Sequence, residues 1–283
     1  MNGVLVINKE KGYTSRDVVN LVSKKLGTRK VGHTGTLDPL ATGVLVLCVG
    51  KSLKLVELLM NHDKEYIATI KLGIETDTLD ITGTITKKEE VPSLKEEQIK
   101  ETLKKFIGKI EQEVPKYSAI KVHGKKLYEY ARNGIEVKLP TREVQIYDIK
   151  LISNLKDNQF TIWCSVSKGT YIRSLIRDIG RDLGTVATMV DLKRTKLGKF
   201  TLEDATSLED LELGKYQLLA PVKVLDFPKI IVDEQLEKKI RNGQVLEKFF
   251  QDDMAMILNK NEELIAIYHR KDEAHVKPYR MFL

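Results

Sequence analysis

The densest run of small and polar residues is Gly32-His33-Thr34-Gly35-Thr36-Leu37-Asp38-Pro39-Leu40-Ala41-Thr42-Gly43. It carries one carboxylate, Asp38, ahead of a proline that keeps the preceding backbone extended. Glycines on either side let a bulky ligand approach the main chain, and Arg29, Lys30, Lys51 and Lys54 flank the run. A carboxylate so placed can act as a nucleophile or take a proton. From spacing alone an Asp-Pro turn is the simpler reading.

Three other stretches invite chemistry. Gly43 to Gly50-Lys51-Ser52 ends like a phosphate-binding loop, but six residues separate its glycines instead of four, and they are strand-like and apolar. Backbone N–H groups of a buried strand cannot also cradle phosphate, so a nucleotide-transfer enzyme is set aside. Thr76-Asp77-Thr78-Leu79-Asp80 has two carboxylates but lacks a calcium loop's oxygen set, and reads as an Asx-rich turn. Arg173, Arg177 and Arg181 recur every fourth residue. Asp178 and Asp182 beside the last two make a charged helix face. Arg173 falls in the first turn, where a cation opposes the helix dipole, which points to a specific anionic partner.

The elements that must position these groups are mixed α and β. Val4–Ile7 and Val44–Val49 read as strands, and Tyr66–Leu72 and Phe160–Val166 alternate as half-buried ones. A helix is expected over Ser15–Leu26, capped by Thr14 or Ser15 and stopped by Gly27. Ser93-Leu-Lys-Glu96 predicts a capping box opening a helix towards Gly108, and Tyr171–Leu183 predicts a third helix, ended by Gly184. After Phe227-Pro228 short strands take over at Lys229–Val232, Met254–Leu258 and Leu264–Tyr268. This is the pattern of a small β-rich module with little core of its own.

The chain has 283 residues, 47 Lys+Arg and 40 Asp+Glu, with 42% hydrophobic residues, which suits a folded globular protein and excludes a disordered one. No run is long enough to span a bilayer and the first residues lack a signal-peptide pattern, so a cytoplasmic location is expected. Two cysteines, Cys48 and Cys164, lie in apolar segments and read as reduced core residues. Five scattered histidines suggest no metal site. The positive excess is local. Residues 1–60 hold nine Lys/Arg against four Asp/Glu, and residues 116–143 hold seven against three. The second patch interleaves lysines with Tyr117, His123, Tyr128 and Tyr130, a pattern suited to a polyanion with stackable bases.

Lys9–Ser15 (KEKGYTS), Gly32–Gly43 (GHTGTLDPLATG), Lys64–Gly73 (KEYIATIKLG) with Thr76–Asp80, and Ser167–Arg173 (SKGTYIR) resemble the TruB-type tRNA pseudouridine synthases, in the same order and spacing. The resemblance covers most of residues 3–227. It implies an α+β catalytic domain, residues 1–228, on a mixed, mainly antiparallel sheet with flanking helices. A short PUA-like domain would follow at 229–283. It also implies isomerisation of the T-loop uridine at tRNA position 55, without cofactor or metal, by a monomer that needs no protein partner or membrane. Asp38 matches the catalytic aspartate, Tyr66 the tyrosine that stacks on the flipped base, and Arg173 the arginine paired with the aspartate, with a bidentate contact expected. His33 matches the histidine that enters the T-loop where the base has left. Lys9 and Lys54 match positions near the pocket, Tyr171 and Leu192 its lining, and Asp80 an aspartate that contacts RNA or shapes a turn. The segment of about 116–146 corresponds to an RNA-binding thumb loop. The rival reading is a non-catalytic RNA-binding or tRNA-chaperone protein, which would use the same patches and have no need of Asp38.

Overall fold

A computed structural model describes all 283 residues. Nine strands form the main sheet. Its path runs Gly3–Lys9, Thr42–Val49, Ala187–Leu197, Lys64–Leu72, Gln159–Val166, Thr141–Leu151, Gly108–Glu113. Val31–His33 adds to Thr42–Val49, and Phe200–Thr201 to Ala187–Leu197. Every pairing is antiparallel except the short parallel contact of Thr42 and Gly43 with Lys193 and Arg194. The sheet is thus mixed and mainly antiparallel, as expected.

Val44–Val49 is apolar throughout and is buried on both faces of the sheet. Leu45, Leu47 and Val49 join the main core with the helices, while Val44, Val46 and Cys48 pack with Met256, Leu258, Ile267 and Phe282 of the C-terminal module. That module therefore shares a core with the main sheet, and keeps a smaller one of its own around Ile240, Ile257 and Tyr268. It is a five-stranded sheet that also contains strand His275–Met281 and helix Glu234–Arg241, neither of which the residue pattern announces. Asp233 caps that helix by accepting the Leu236 N–H at 2.8 Å.

Helix Ser15–Lys25 starts at Thr14, whose hydroxyl accepts the Asp17 N–H while Asp17 accepts the Thr14 N–H. Helix Ile172–Asp182 buries Ile172, Leu175, Ile176 and Ile179 against the sheet. The helix expected from Ser93 begins at Glu96. Leu94 packs on the core ahead of it, and Gln98 rather than Glu96 closes the turn by accepting the Lys95 N–H at 2.8 Å. The basic excursion also ends earlier than residue 146. Thr141 already pairs with Glu113 and Ile146 with Gly108, because the alternating Val144 and Ile146 belong to the sheet. What leaves the sheet is 115–140, with a hairpin at Lys121–Lys126 and a short helix Leu127–Arg132. No helix is long and apolar enough to cross a membrane.

Candidate active site

The loop between Val31–His33 and Thr42–Val49 is fastened at each turn. Thr34 N–H donates to the Val46 carbonyl at 3.0 Å, Gly12 N–H to the Pro39 carbonyl at 2.8 Å, and Ala41 N–H to the Asp38 carbonyl at 3.0 Å. Ser15, at the start of its helix, holds Leu37 twice: its hydroxyl accepts the Leu37 N–H at 2.8 Å and donates to the Leu37 carbonyl at 3.1 Å. Leu37, Leu40 and Ala41 are buried in the core, so Asp38 is presented on a rigid support.

Asp38 meets Arg173. The arginine Nε lies 3.0 Å from Oδ2, with the arginine side chain 8% exposed and the aspartate 33%. The contact is through one nitrogen and not the bidentate fork expected. The other two nitrogens are committed to backbone: Nη1 donates to the Thr78 carbonyl at 3.0 Å and Nη2 to the Tyr117 carbonyl at 3.1 Å. All three nitrogens of the guanidinium are thereby engaged, and the Asp38 carboxylate stays partly exposed. The first-turn cation has its anion.

The Thr78 carbonyl is itself held by the Thr76–Asp80 turn. Asp80 is buried, and its Oδ1 accepts from Thr82 N–H at 3.0 Å and from the hydroxyls of Thr78 at 3.0 Å and Thr82 at 2.5 Å. Leu79 between them has φ +61°, a left-handed conformation costly for a leucine. Asp80 thus sits inside the turn that supports Arg173. No three His, Cys, Asp or Glu side chains converge as metal ligands.

Tyr66 lies on Lys64–Leu72, opposite Cys164 on one neighbour and Arg194 on the other, and is 7% exposed. Leu192, two residues along from Arg194, is buried in the same core as Tyr66. Lys9 ends the first strand opposite Gly43. It is buried, its Nζ donating to the carbonyls of Glu10 at 2.9 Å and Tyr13 at 2.7 Å. Burial lowers its pKa to about 8, against the opposing pull of the nearby Asp38 charge. His33 is half-buried, with its Nδ1 accepting the Gly35 N–H at 3.4 Å. Burial, then the charges of Arg16 and Arg194, lower its pKa and favour the neutral ring. Tyr171 is the residue before helix Ile172–Asp182. Gln112 Oε1 accepts its N–H at 2.7 Å, and the Arg142 guanidinium stands 5.5 Å from its ring centre.

Lys54 stands apart. It belongs to a turn of 3-10 helix, Gly50–Leu55, and its Nζ donates to the Met281 carbonyl of the C-terminal module at 2.6 Å. The phosphate-loop look-alike is closed as well, since the N–H groups of Gly50 and Lys51 already donate to the Lys30 carbonyl and Asn2 Oδ1, both at 2.7 Å. Arg177 is buried and bound to Glu113 at 2.8 Å and Asp178 at 2.9 Å, while Arg181 is exposed. The thiols of Cys48 and Cys164 are buried, which raises both pKa values to about 12.

Family comparison adds to this geometry. The N-terminal domain of TruB family pseudouridylate synthases matches residues 23–172, and the C-terminal domain of tRNA pseudouridylate synthase B matches residues 173–220. The chain belongs to the TruB family. Its TruB relatives match nearly end to end. It is 43% identical to the tRNA pseudouridine synthase B of Shouchella clausii, covering 99% of this chain and 98% of that one. It is 40% identical to that of Caldanaerobacter subterraneus, over 100% and 99%. Among solved structures, a chain of an H/ACA RNP bound to a substrate RNA containing 2'-deoxyuridine superposes with a TM-score of 0.72 at 25% identity, covering 99% of this chain and 85% of that one. The boundary between the two matched TruB segments falls inside the first turn of the Ile172–Asp182 helix, so Asp38 and Arg173 come from different segments of one sheet-and-helix unit.

Proposed function

We propose that the protein converts uridine to pseudouridine in the T-loop of tRNA, at position 55, and that Asp38 is the residue that acts on the nucleoside. The observation that carries this is the Asp38–Arg173 pair, in a chain whose relatives are named tRNA pseudouridine synthase B. The reaction breaks N1–C1′, turns the uracil and forms C5–C1′. The proton on C5 is released and N1 gains one, so composition is unchanged and no electrons are exchanged. No redox cofactor is called for. A uridine stacked within a folded T-loop is out of reach, so it is flipped into the cleft. Tyr66 supplies a stacking face, Leu192 and Tyr171 line the pocket, and His33 occupies the space the base leaves.

The 115–140 excursion is the thumb that grips the stem through phosphate contacts. Lys9 supports the floor beneath Asp38, and Lys54 acts from the seam with the C-terminal module. The protein works as a cytoplasmic monomer with tRNA as its partner, and residues 229–283 form a PUA-like domain beside the catalytic domain of residues 1–228.

The test is tritium release from tRNA transcripts carrying 5-³H-uridine, with the modified position mapped by carbodiimide-blocked reverse transcription. Release with a single stop in the T-loop is expected. Tight, salt-sensitive tRNA binding without any release would overturn this reading in favour of a non-catalytic RNA binder.

A further inference from the structure

Arg194 is among the largest fully buried side chains, 1% exposed, yet both of its hydrogen bonds go to carbonyls and none to a carboxylate. Its charge bears on Lys9, His33 and Lys64, each of which is itself a base. A cation buried this way is costly, and an apolar side chain of similar length would fill the same space at lower cost. Packing alone therefore does not account for it.

Its two bonds share one target. Nε donates to the Val44 carbonyl at 2.7 Å, and Nη2 donates to the Gly35 carbonyl at 3.1 Å. Gly35 lies at the start of the loop that carries Asp38, and Val44 lies in the strand that follows it. The strand register fits this placement, because Arg194 pairs with Gly43 on one neighbour and with Tyr66 on the other. The approach is close: a Cβ on Gly43, whose φ is +101°, would lie 2.2 Å from the Arg194 carbonyl oxygen, so only glycine fits.

We propose that Arg194 is a positioning residue for Asp38, buckling the start of its loop at Gly35 to the following strand at Val44. Arg173 fixes the carboxylate through its side chain; Arg194 fixes the backbone that presents it. A planar guanidinium can donate along two fixed directions at once, whereas a lysine ammonium lacks that fork. The inference rests on the proposed isomerisation.

The experiment compares the full-length wild type with Arg194→Lys and Arg194→Met in three measurements: single-turnover tritium release, tRNA affinity and amide hydrogen exchange. A carboxylate displaced by about 1 Å costs roughly 100-fold in rate, so both variants should lose about that much. Their tRNA affinity should stay within about threefold of wild type. Exchange should quicken at the Leu37 and Ala41 amides while the Lys64–Leu72 and Gln159–Val166 strands exchange as in wild type. An unchanged rate in Arg194→Lys, rate and affinity falling together, exchange quickened throughout the sheet, or failure of both variants to fold would each overturn the proposal. A wild type that releases no tritium would instead overturn the functional reading, and the exchange pattern alone would then decide whether Arg194 fastens the loop.

Discussion

Between Thr34 and Gly43 the chain is tied down at nearly every turn, by Ser15, Gly12, Val46 and the buried Arg194. Between Lys116 and Pro140 only Ser118 and Leu127 are buried, and most hydrogen bonds run within the excursion itself, such as Tyr130 hydroxyl to the Val122 carbonyl at 3.0 Å. The first segment holds one carboxylate in one orientation. The second holds exposed lysines among half-buried tyrosines. Chemistry needs the first kind of support and phosphate recognition tolerates the second, so rate and affinity should be separable between them. Arg173 joins the two regions, reaching from Asp38 to the Tyr117 carbonyl at 3.1 Å, and Tyr117 hydroxyl donates to Asp77 at 3.2 Å.

Arg173→Ala strikes that joint and should show the largest effect among the supporting residues. Loss of a charge-assisted orienting contact predicts a fall of about 100- to 1,000-fold in single-turnover rate, with tRNA affinity reduced less than about tenfold. Equal losses in both would merge the two regions into one binding face.

Replacing Lys121, Lys125 and Lys126 together by alanine should do the reverse. At roughly 0.7–0.9 counterions per phosphate contact, the slope of log affinity against log salt should flatten by about 2–3. The saturating rate should change less than the affinity. A slope that stays as steep as wild type would place the phosphate contacts elsewhere.

Arg177 sharpens the contrast from one helical turn away. It is as buried as Arg173 but answers to Glu113 and Asp178, not to Asp38. Arg177→Met should lower unfolding free energy by about 1–3 kcal/mol, measured by denaturant titration, and leave the single-turnover rate near wild type. A large rate loss at unchanged stability would contradict the division.

The effect confined to alkaline pH concerns Lys9. Its folded pKa is about 8, below its ordinary 10.5, because burial disfavours the charged amine. Between those values the unfolded chain binds more protons, so this group makes stability rise with pH across the window from about 8 to 10.5. Lys9→Met should remove that rise, a slope difference of at most about 1.4 kcal/mol per pH unit. Parallel stability curves for the two proteins would mean that Lys9 titrates as if exposed.

Much of this frame is legible in the residues themselves. The apolar run Val44–Val49, the Thr14 cap, and the Ile172, Leu175, Ile176 and Ile179 spacing each specify an element by local pattern. Asp38 stands out because small residues and a proline surround it. Arg194 does not, since Lys193-Arg194-Thr195-Lys196 reads as a solvated strand and only the pairing with Gly43, about 150 residues earlier in the chain, buries it. The Thr78 and Tyr117 carbonyls that complete the Arg173 site carry no side-chain signal at all. Lys54 misleads for the opposite reason: its motif lies close to the loop in sequence, but its ammonium is spent on the C-terminal module, whose docking no local pattern reveals.

The most direct test of the central claim is to measure tRNA affinity and tritium release on one preparation of Asp38→Asn. The substitution keeps the shape of the side chain, removes its charge and turns one acceptor oxygen into a donor. Wild-type affinity with no detectable release is the predicted result, the grip intact and the chemistry gone. Release at a rate close to wild type would contradict the account, because the fastened loop would then be presenting a residue the reaction does not use.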